Sequence, residues 1–395
     1  MDPATLIMLL NATPRELQPI GGDYTYYRDL QRLSGEHLQT PILPDSLRRR
    51  ASWLAGRATE RACRMWEPAQ VRRQFLLSGR AAHISSGQLR SVAPDIVLSH
   101  LWFPVLPRGS RVPTVWSSQG ISPAVYYNRH ASGGQWDLED VIGLYRTVSR
   151  RVSALLVWTE RCARTVATSC PGIEDRLYVI HPPVHVQSDG REPKPSAGDG
   201  ILRLLFVGVD AEEKGLREAL QAYTAVRSSG VSCEFTVVSS PPPDLTARLA
   251  STPGARLVTP APQAEVYKLM AESDVLVLPT HADSYAKVAV EAMAHGCAVV
   301  ISDLDPLPEV VPDGQVGFTV PIDNEVELVQ KLKALLSNQA LLRRMQMEAR
   351  RLHLRRNSAE IVRGKIETMA DEILQRTTLG LPGRYGPWPL TNHGS

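Results

Sequence analysis

Long apolar runs are missing from this chain. No stretch approaches the roughly 20 apolar residues of a membrane-spanning helix. The first apolar run, inside MDPATLIMLLNATPRE, is short and has no basic leader, so it does not read as a secretory signal. Paired cysteines are missing too. Cys63, Cys162, Cys170, Cys233 and Cys297 are scattered, odd in number and without a C-x-x-C pair. That pattern favours buried thiols in a reducing compartment over a disulfide framework or a zinc site. Nor is there a strong excess of one charge: 44 Lys and Arg face 41 Asp and Glu, a net +3. This balance does not by itself imply nucleic-acid binding. No internal repeat of solenoid period is present. With 43% apolar and 22% charged residues, the composition is that of a soluble globular protein. A cytoplasmic location is the default expectation, and 395 residues are enough for two domains with substantial cores.

What is present centres on residues 274–309, DVLVLPTHADSYAKVAVEAMAHGCAVVISDLDPLPE. Val275 to Leu278 reads as a buried parallel strand, Thr280 to Tyr285 as a turn, 287–295 as a helix and Cys297 to Ile301 as the next strand. Asp283 lies in the turn and Glu291 follows eight residues later, about two helical turns along. Ligands of open α/β sheets bind at the carboxyl edge of the strands, where carboxylates accept hydrogen bonds from sugar or ribose hydroxyls. Taken singly, Glu291 reads first as a helix-face carboxylate and Asp283 as an N-cap.

The rest of the chain alternates strand and helix, the mark of a doubly wound parallel sheet. Strands are expected at Leu6 to Leu10, Pro94 to Ser99, Pro113 to Trp116, Ala154 to Trp158 and Leu177 to Ile180. Helices are expected at Asp23 to Leu33, 46–66, 70–91, Asp137 to Arg151 and Glu160 to Thr168. A polar, Pro- and Gly-rich stretch at 186–200 reads as a linker. A second run follows, with strands at Leu202–Val207, 234–238, 255–259, 275–278 and 298–301. Its helices are at 243–251, 264–272 and 287–295, then at 324–337, 340–353 and 357–377. The loop after the first strand ends in Gly21-Gly22. That strand, glycine turn and following helix make an arrangement suited to an anion; in the second run Gly208 closes a strand and Lys214-Gly215 opens a long helix.

The string from Asp283 to Ser302 resembles the paired-acid element of retaining GT-B glycosyltransferases of family four, which use nucleotide sugars. FVGVDAEEKG resembles that family's phosphate-binding segment, and Gly21-Gly22 its glycine loop. The resemblance implies two Rossmann-like domains facing each other across a cleft. They would be an acceptor-side domain of 1–184, with 357–395 crossing back onto it, and a donor domain of 185–356. It implies a catalytic set of Gln119, Lys214 and Asp283. The donor-binding set would be Gly21, Gly22, Gly208, Lys214, Asp283, Ser284, Tyr285, Ala286, Lys287 and Glu291. In this set Asp283 meets the sugar, Glu291 the ribose and Lys214 the diphosphate. No metal and no cofactor is called for, and no Asp-x-Asp metal element is expected in the chain. The chain departs from the family pattern at three positions. Val209 stands for an arginine, Gln119 for a histidine and Ala286 for a glycine. Gln119 cannot act as a general base.

The function expected is glycosyl transfer with retention, from a nucleotide sugar to an acceptor left open among glycan, lipid-linked and small-molecule classes. Two rivals stand beside it: a nucleotide-sugar epimerase on the same fold, and a non-catalytic nucleotide-sugar-binding protein. The arginines between 48 and 80 read either as a solvated face or as a peripheral contact with an anionic membrane or acceptor. No nucleic-acid partner is expected.

Overall fold

The structure is a computed structural model, described at residues 5–10, 26, 29–30, 32–33, 38–39, 81–100, 103–122, 138–185, 201–259 and 261–379. The chain divides into two compact units. One comprises Met1–Ile121, Gln135–His181 and Val362–Ser395, the other Ser122–Gly134 and Pro182–Ile361. Gly21, Gly22, the arginines of 48–80 and the 186–200 stretch lie outside the described residues.

The first unit is built on a parallel sheet. Its strands are β1 (Thr5–Leu10), β2 (Leu38–Gln39), β4 (Ile96–His100), β6 (Thr114–Ser117), β7 (Ala154–Val157) and β8 (Leu177–Val179), ordered β2-β1-β4-β6-β7-β8. The interior strands β4, β6 and β7 are buried throughout, including the polar Ser99, His100, Thr114 and Ser117, as strands covered on both faces should be. A separate parallel pair joins β3 (Ala81–His83) to β5 (Phe103–Val105). β3 corrects the continuous helix expected over 70–91. The helix there, α1, spans only Ser86–Val92. Ser85 and Gln88 form a capping box that starts it: the Ser85 hydroxyl accepts the Gln88 N–H, and Gln88 Oε1 accepts the Ser85 N–H, satisfying two otherwise orphaned donors. Helices α2 (Leu138–Ser149) and α3 (Glu160–Ser169) follow.

In the second unit the strands are β9 (Leu202–Val207), β10 (Cys233–Val238), β11 (Ala255–Val258), β12 (Val275–Leu278), β13 (Ala298–Ser302) and β14 (Gly317–Val320). All pairings are parallel and the order is β11-β10-β9-β12-β13-β14. The chain winds one way from β9 to β11 and the other way from β12 to β14. The winding therefore reverses between β9 and β12, the place where open α/β sheets bind ligands. Its helices are α4 (Leu216–Ser228), α5 (Pro243–Ser251), α6 (Gln263–Glu272), α7 (Lys287–Ala294), α8 (Leu307–Val310), α9 (Glu325–Leu336) and α10 (Gln339–Arg356).

The last helix, α11 (Ala359–Thr378), buries Val362, Ile366, Met369, Ala370 and Ile373, one stripe at helical spacing. From Val362 onward it belongs to the first unit, where the Tyr178 hydroxyl donates to Glu372 Oε2 at 2.9 Å. Among the described residues no helix is long and apolar enough to cross a membrane. Cys162, Cys170, Cys233 and Cys297 are buried free thiols.

One buried group sets a pH dependence. His353 on α10 is 5% exposed, and its Nδ1 has no hydrogen-bond partner. Burial, aided by the nearby His295 and Arg350, pushes its pKa down to about 4. Between pH 4 and about 6.5 the unfolded chain therefore binds this proton and the folded chain does not. Folding stability should fall by a few kcal/mol as pH drops through that window, and this group should contribute no slope above it. His353→Leu should flatten the profile without loss of stability at pH 7. Urea titrations at pH 4.5 and 7 check this.

Candidate functional site

The turn between β9 and α4 places a lysine by means of two glycines. Gly215 lies in the left-handed region at φ 79° and caps α4. A β-carbon there would sit 2.0 Å from the Pro279 carbonyl oxygen, so the backbones of the two turns touch. One at Gly208 would sit 2.9 Å from both Cβ and Cγ of Lys214, so the lysine stem lies across bare backbone. The Lys214 ammonium then donates to Asp283 Oδ2 at 2.9 Å, to the Ala282 carbonyl at 2.8 Å and to Glu213 Oε1 at 3.3 Å. These use its three protons.

The facing turn, between β12 and α7, is tied down from the same side. The His281 N–H donates to the Glu213 carbonyl at 2.8 Å, and the buried Thr280 hydroxyl lies 3.2 Å from that oxygen. Asp283 Oδ1 accepts the N–H groups of Tyr285 at 3.0 Å and Ala286 at 2.6 Å. Asp283 is thus both an ion-pair partner and the brace of its own turn; the N-cap of α7 is Ala286, with no side-chain cap bond, which corrects the N-cap reading of Asp283. Ala286 stands at φ 51°, ψ 59°, a left-handed position that costs an alanine about 1 kcal/mol relative to glycine.

The electrostatics follow from this packing. Lys214 and Asp283 are each 19% exposed. Burial is the largest influence on both and opposes their charges. The carboxylates of Asp283 and Glu213 outweigh it at Lys214, which is held above the ordinary lysine value. At Asp283 the Lys214 charge and the two backbone N–H groups outweigh it, so its carboxyl lies below the ordinary range. A depressed Asp loses its stabilising contribution only as pH falls below about 4, and a raised Lys only as pH rises above about 10. The pair is charged across all physiological pH.

Glu291 lies on α7, two turns along from Asp283. Its Oε1 receives a long 3.5 Å hydrogen bond from the Tyr267 hydroxyl, which itself accepts from Gln263 Nε2 at 2.7 Å. His295 tilts against the Tyr267 ring at 4.9 Å. Tyr267 was not singled out in the sequence. It sits on α6, 24 positions upstream of Glu291, and no local spacing relates the two. Ser284 is half-buried in the turn, whereas Tyr285 and Lys287 are buried. Val209, beside Gly208, is 69% exposed. Gln119 follows β6 at the carboxyl edge of the first unit's sheet and is half-buried.

Two acidic features lie outside the expected set. Asp303-Leu304-Asp305 has Asp-x-Asp spacing, which corrects the expectation that the chain has no such element. It follows β13, with Asp303 exposed and Asp305 half-buried. Among the described residues, Glu218, His281 and Asp323 are the three whose ligand atoms come close enough to hold a metal. In the structure they are ion-paired: His281 Nε2 is 3.4 Å from Glu218 and Nδ1 is 3.9 Å from Asp323. The Glu218 hydrogen bond raises the His281 pKa against the opposing effect of burial, and Asp323 and Glu213 add to the rise.

Residues 202–338 match the family described as Glycosyl transferases group 1. The match lies within the second unit, from β9 to just past the end of α9. Glycogen synthase of Mycobacterium tuberculosis is 25% identical over 283 residues, 67% of this chain and 65% of that protein. Phosphatidyl-myo-inositol mannosyltransferase of the same organism is 34% identical over 149 residues, 36% of this chain and 39% of that protein. The chain thus spans less than two thirds of the length of these relatives. Sucrose-phosphate synthase from Thermosynechococcus elongatus superposes with a TM-score of 0.66 at 12% identity, covering 94% of this chain and 99% of that one. The E. coli trehalose-6-phosphate protein bound to UDP-2-fluoro glucose gives a TM-score of 0.61 at 13% identity, over 94% and 99%. The fold is GT-B, with two Rossmann-like units.

Proposed function

We propose that the chain is a glycosyltransferase that takes a sugar from a nucleotide-sugar donor, with retention and without a metal ion. The observation that carries the reading is the Lys214–Asp283 pair, 2.9 Å apart, on the two turns that flank the reversal of the sheet. Leaving-group charge grows on the diphosphate as the glycosidic bond breaks, and a cation fixed beforehand at that point lowers the barrier. Lys214 supplies the cation. Its three protons are held by Asp283, Glu213 and the Ala282 carbonyl, so a diphosphate displaces at least one of these acceptors as it binds.

Glu291 is the ribose acceptor in this reading, steadied by Tyr267, and Asp283 faces the sugar. Gln119, on the acceptor-side unit, serves as a hydrogen-bonding group and not as a base. The domains of 1–184 with 357–395 and of 185–356 divide acceptor from donor. The acceptor class is open among glycans, lipid-linked sugars and small molecules. Contact of 48–80 with an anionic membrane belongs to the same proposal.

The test is sugar transfer from UDP-glucose, UDP-N-acetylglucosamine and GDP-mannose to a mixed acceptor panel, with and without excess EDTA. Turnover should survive the chelator nearly unchanged. Loss of activity with EDTA and its return with Mg²⁺ or Mn²⁺ would move the leaving-group chemistry from Lys214 to a metal. Conversion of the donor without any acceptor would favour an epimerase.

A further inference from the structure

Asn357 sits just past the end of α10, 2% exposed. Its side-chain nitrogen donates to the Pro182 carbonyl at 2.8 Å and to the Tyr285 hydroxyl oxygen at 2.8 Å. Its backbone carbonyl accepts the Val184 N–H at 3.0 Å, and its own N–H donates to the His353 carbonyl at 2.8 Å. One amide therefore ties three segments of the second unit. Two of them are where the chain passes from one unit to the other, at His181–Pro182 and, four residues beyond Asn357, at Ile361–Val362. The third is the turn that holds Asp283. Tyr285 is 2% exposed, and its N–H and that of Ala286 are the ones Asp283 accepts.

We infer that Asn357 is a positioning residue for the donor turn. Through the Tyr285 hydroxyl it fixes the 283–286 backbone to the segments by which the chain enters and leaves the unit. Packing alone would secure a buried phenylalanine at 285. The hydroxyl adds a directional link, and the amide on the other side has both N–H groups committed. Removing the hydroxyl leaves a buried Asn357 N–H unmatched, and removing the amide breaks the same link from the other side. The consequence for function rests on the reading that this turn faces the donor.

Two readouts separate this inference from that reading. The first needs no ligand. In Tyr285→Phe and in Asn357→Leu, amide exchange at Tyr285 and Ala286 should speed up by about three- to tenfold, the scale of one lost hydrogen bond. The double variant should exchange no faster than the worse single, since both remove one link. Amides of β9 should stay as protected as in the parent chain. The second readout uses whichever of UDP-glucose, UDP-N-acetylglucosamine and GDP-mannose supports turnover. KM for that donor should rise by a similar factor in both singles, with kcat within about threefold.

Unchanged exchange at 285 and 286 in Tyr285→Phe would overturn the inference. So would faster exchange spread evenly over the unit, which is the mark of general destabilisation. If none of the three donors supports turnover in the parent chain, the functional reading fails, and the exchange experiment still decides the link.

Discussion

Lys214→Ala is expected to lower kcat/KM for sugar transfer by about 10²- to 10³-fold, the cost of deleting one preorganised stabiliser of developing charge. The loss should fall mainly on kcat, because charge on the departing diphosphate is greater in the transition state than in the bound donor. A second effect accompanies it. Removing the ammonium leaves Asp283, 19% exposed, without its cation, and should lower folding stability by about 2 kcal/mol. Kinetics are therefore measured well below the melting transition, with folding checked by circular dichroism. A Lys214→Ala protein with parental kcat/KM would take this residue out of the chemistry.

Gly215→Val is expected to abolish stable folding. A valine there faces two penalties, the left-handed backbone at φ 79° and a β-carbon 2.0 Å from the Pro279 oxygen. Backbone has little freedom to retreat, so the cost should exceed about 4 kcal/mol, a large share of the 5–15 kcal/mol that keeps a typical domain folded. Gly109 supplies the control. Its φ is 81°, yet a β-carbon there meets nothing within 4 Å. Gly109→Ala should lose only about 1–2 kcal/mol, the price of the left-handed conformation. Thermal melts of the two variants separate contact from conformation. Equal, small losses would show that the two turns do not touch as described.

How far these features could be read in advance depended on how local their causes are. β12 and β13 were legible as apolar runs of strand length and β9 as one interrupted only by Arg203, ended by Gly208, Pro279 or a polar turn. β5 was not, since three residues with Pro104 in the middle carry no periodic signal. β14 was not legible either, since Gly317 and Thr319 break its four residues and leave no apolar run. β3 was absorbed into a helix because Ala81 and Ala82 suit either state, and its partner strand lies 22 positions on. In the site, Lys214 and Asp283 are 69 positions apart. No spacing rule joins them; only the resemblance did. The resemblance also marked Ala286 as a departure from glycine, and the left-handed backbone there gives the physical meaning of that departure. Tyr267 and Asn357 act from other elements, so nothing in the order of residues pointed to them.

Calorimetry on the full chain tests the central claim most directly, with UDP, GDP and their sugars as ligands for the parent protein and Glu291→Ala. One nucleoside diphosphate and its sugar should bind the parent protein at a single site. Glu291→Ala should weaken both by about 1.5–3 kcal/mol, the range for hydrogen bonds to a charged group. Absence of binding by every diphosphate and sugar nucleotide, or equal affinities in the two proteins, would contradict a donor site on the second unit.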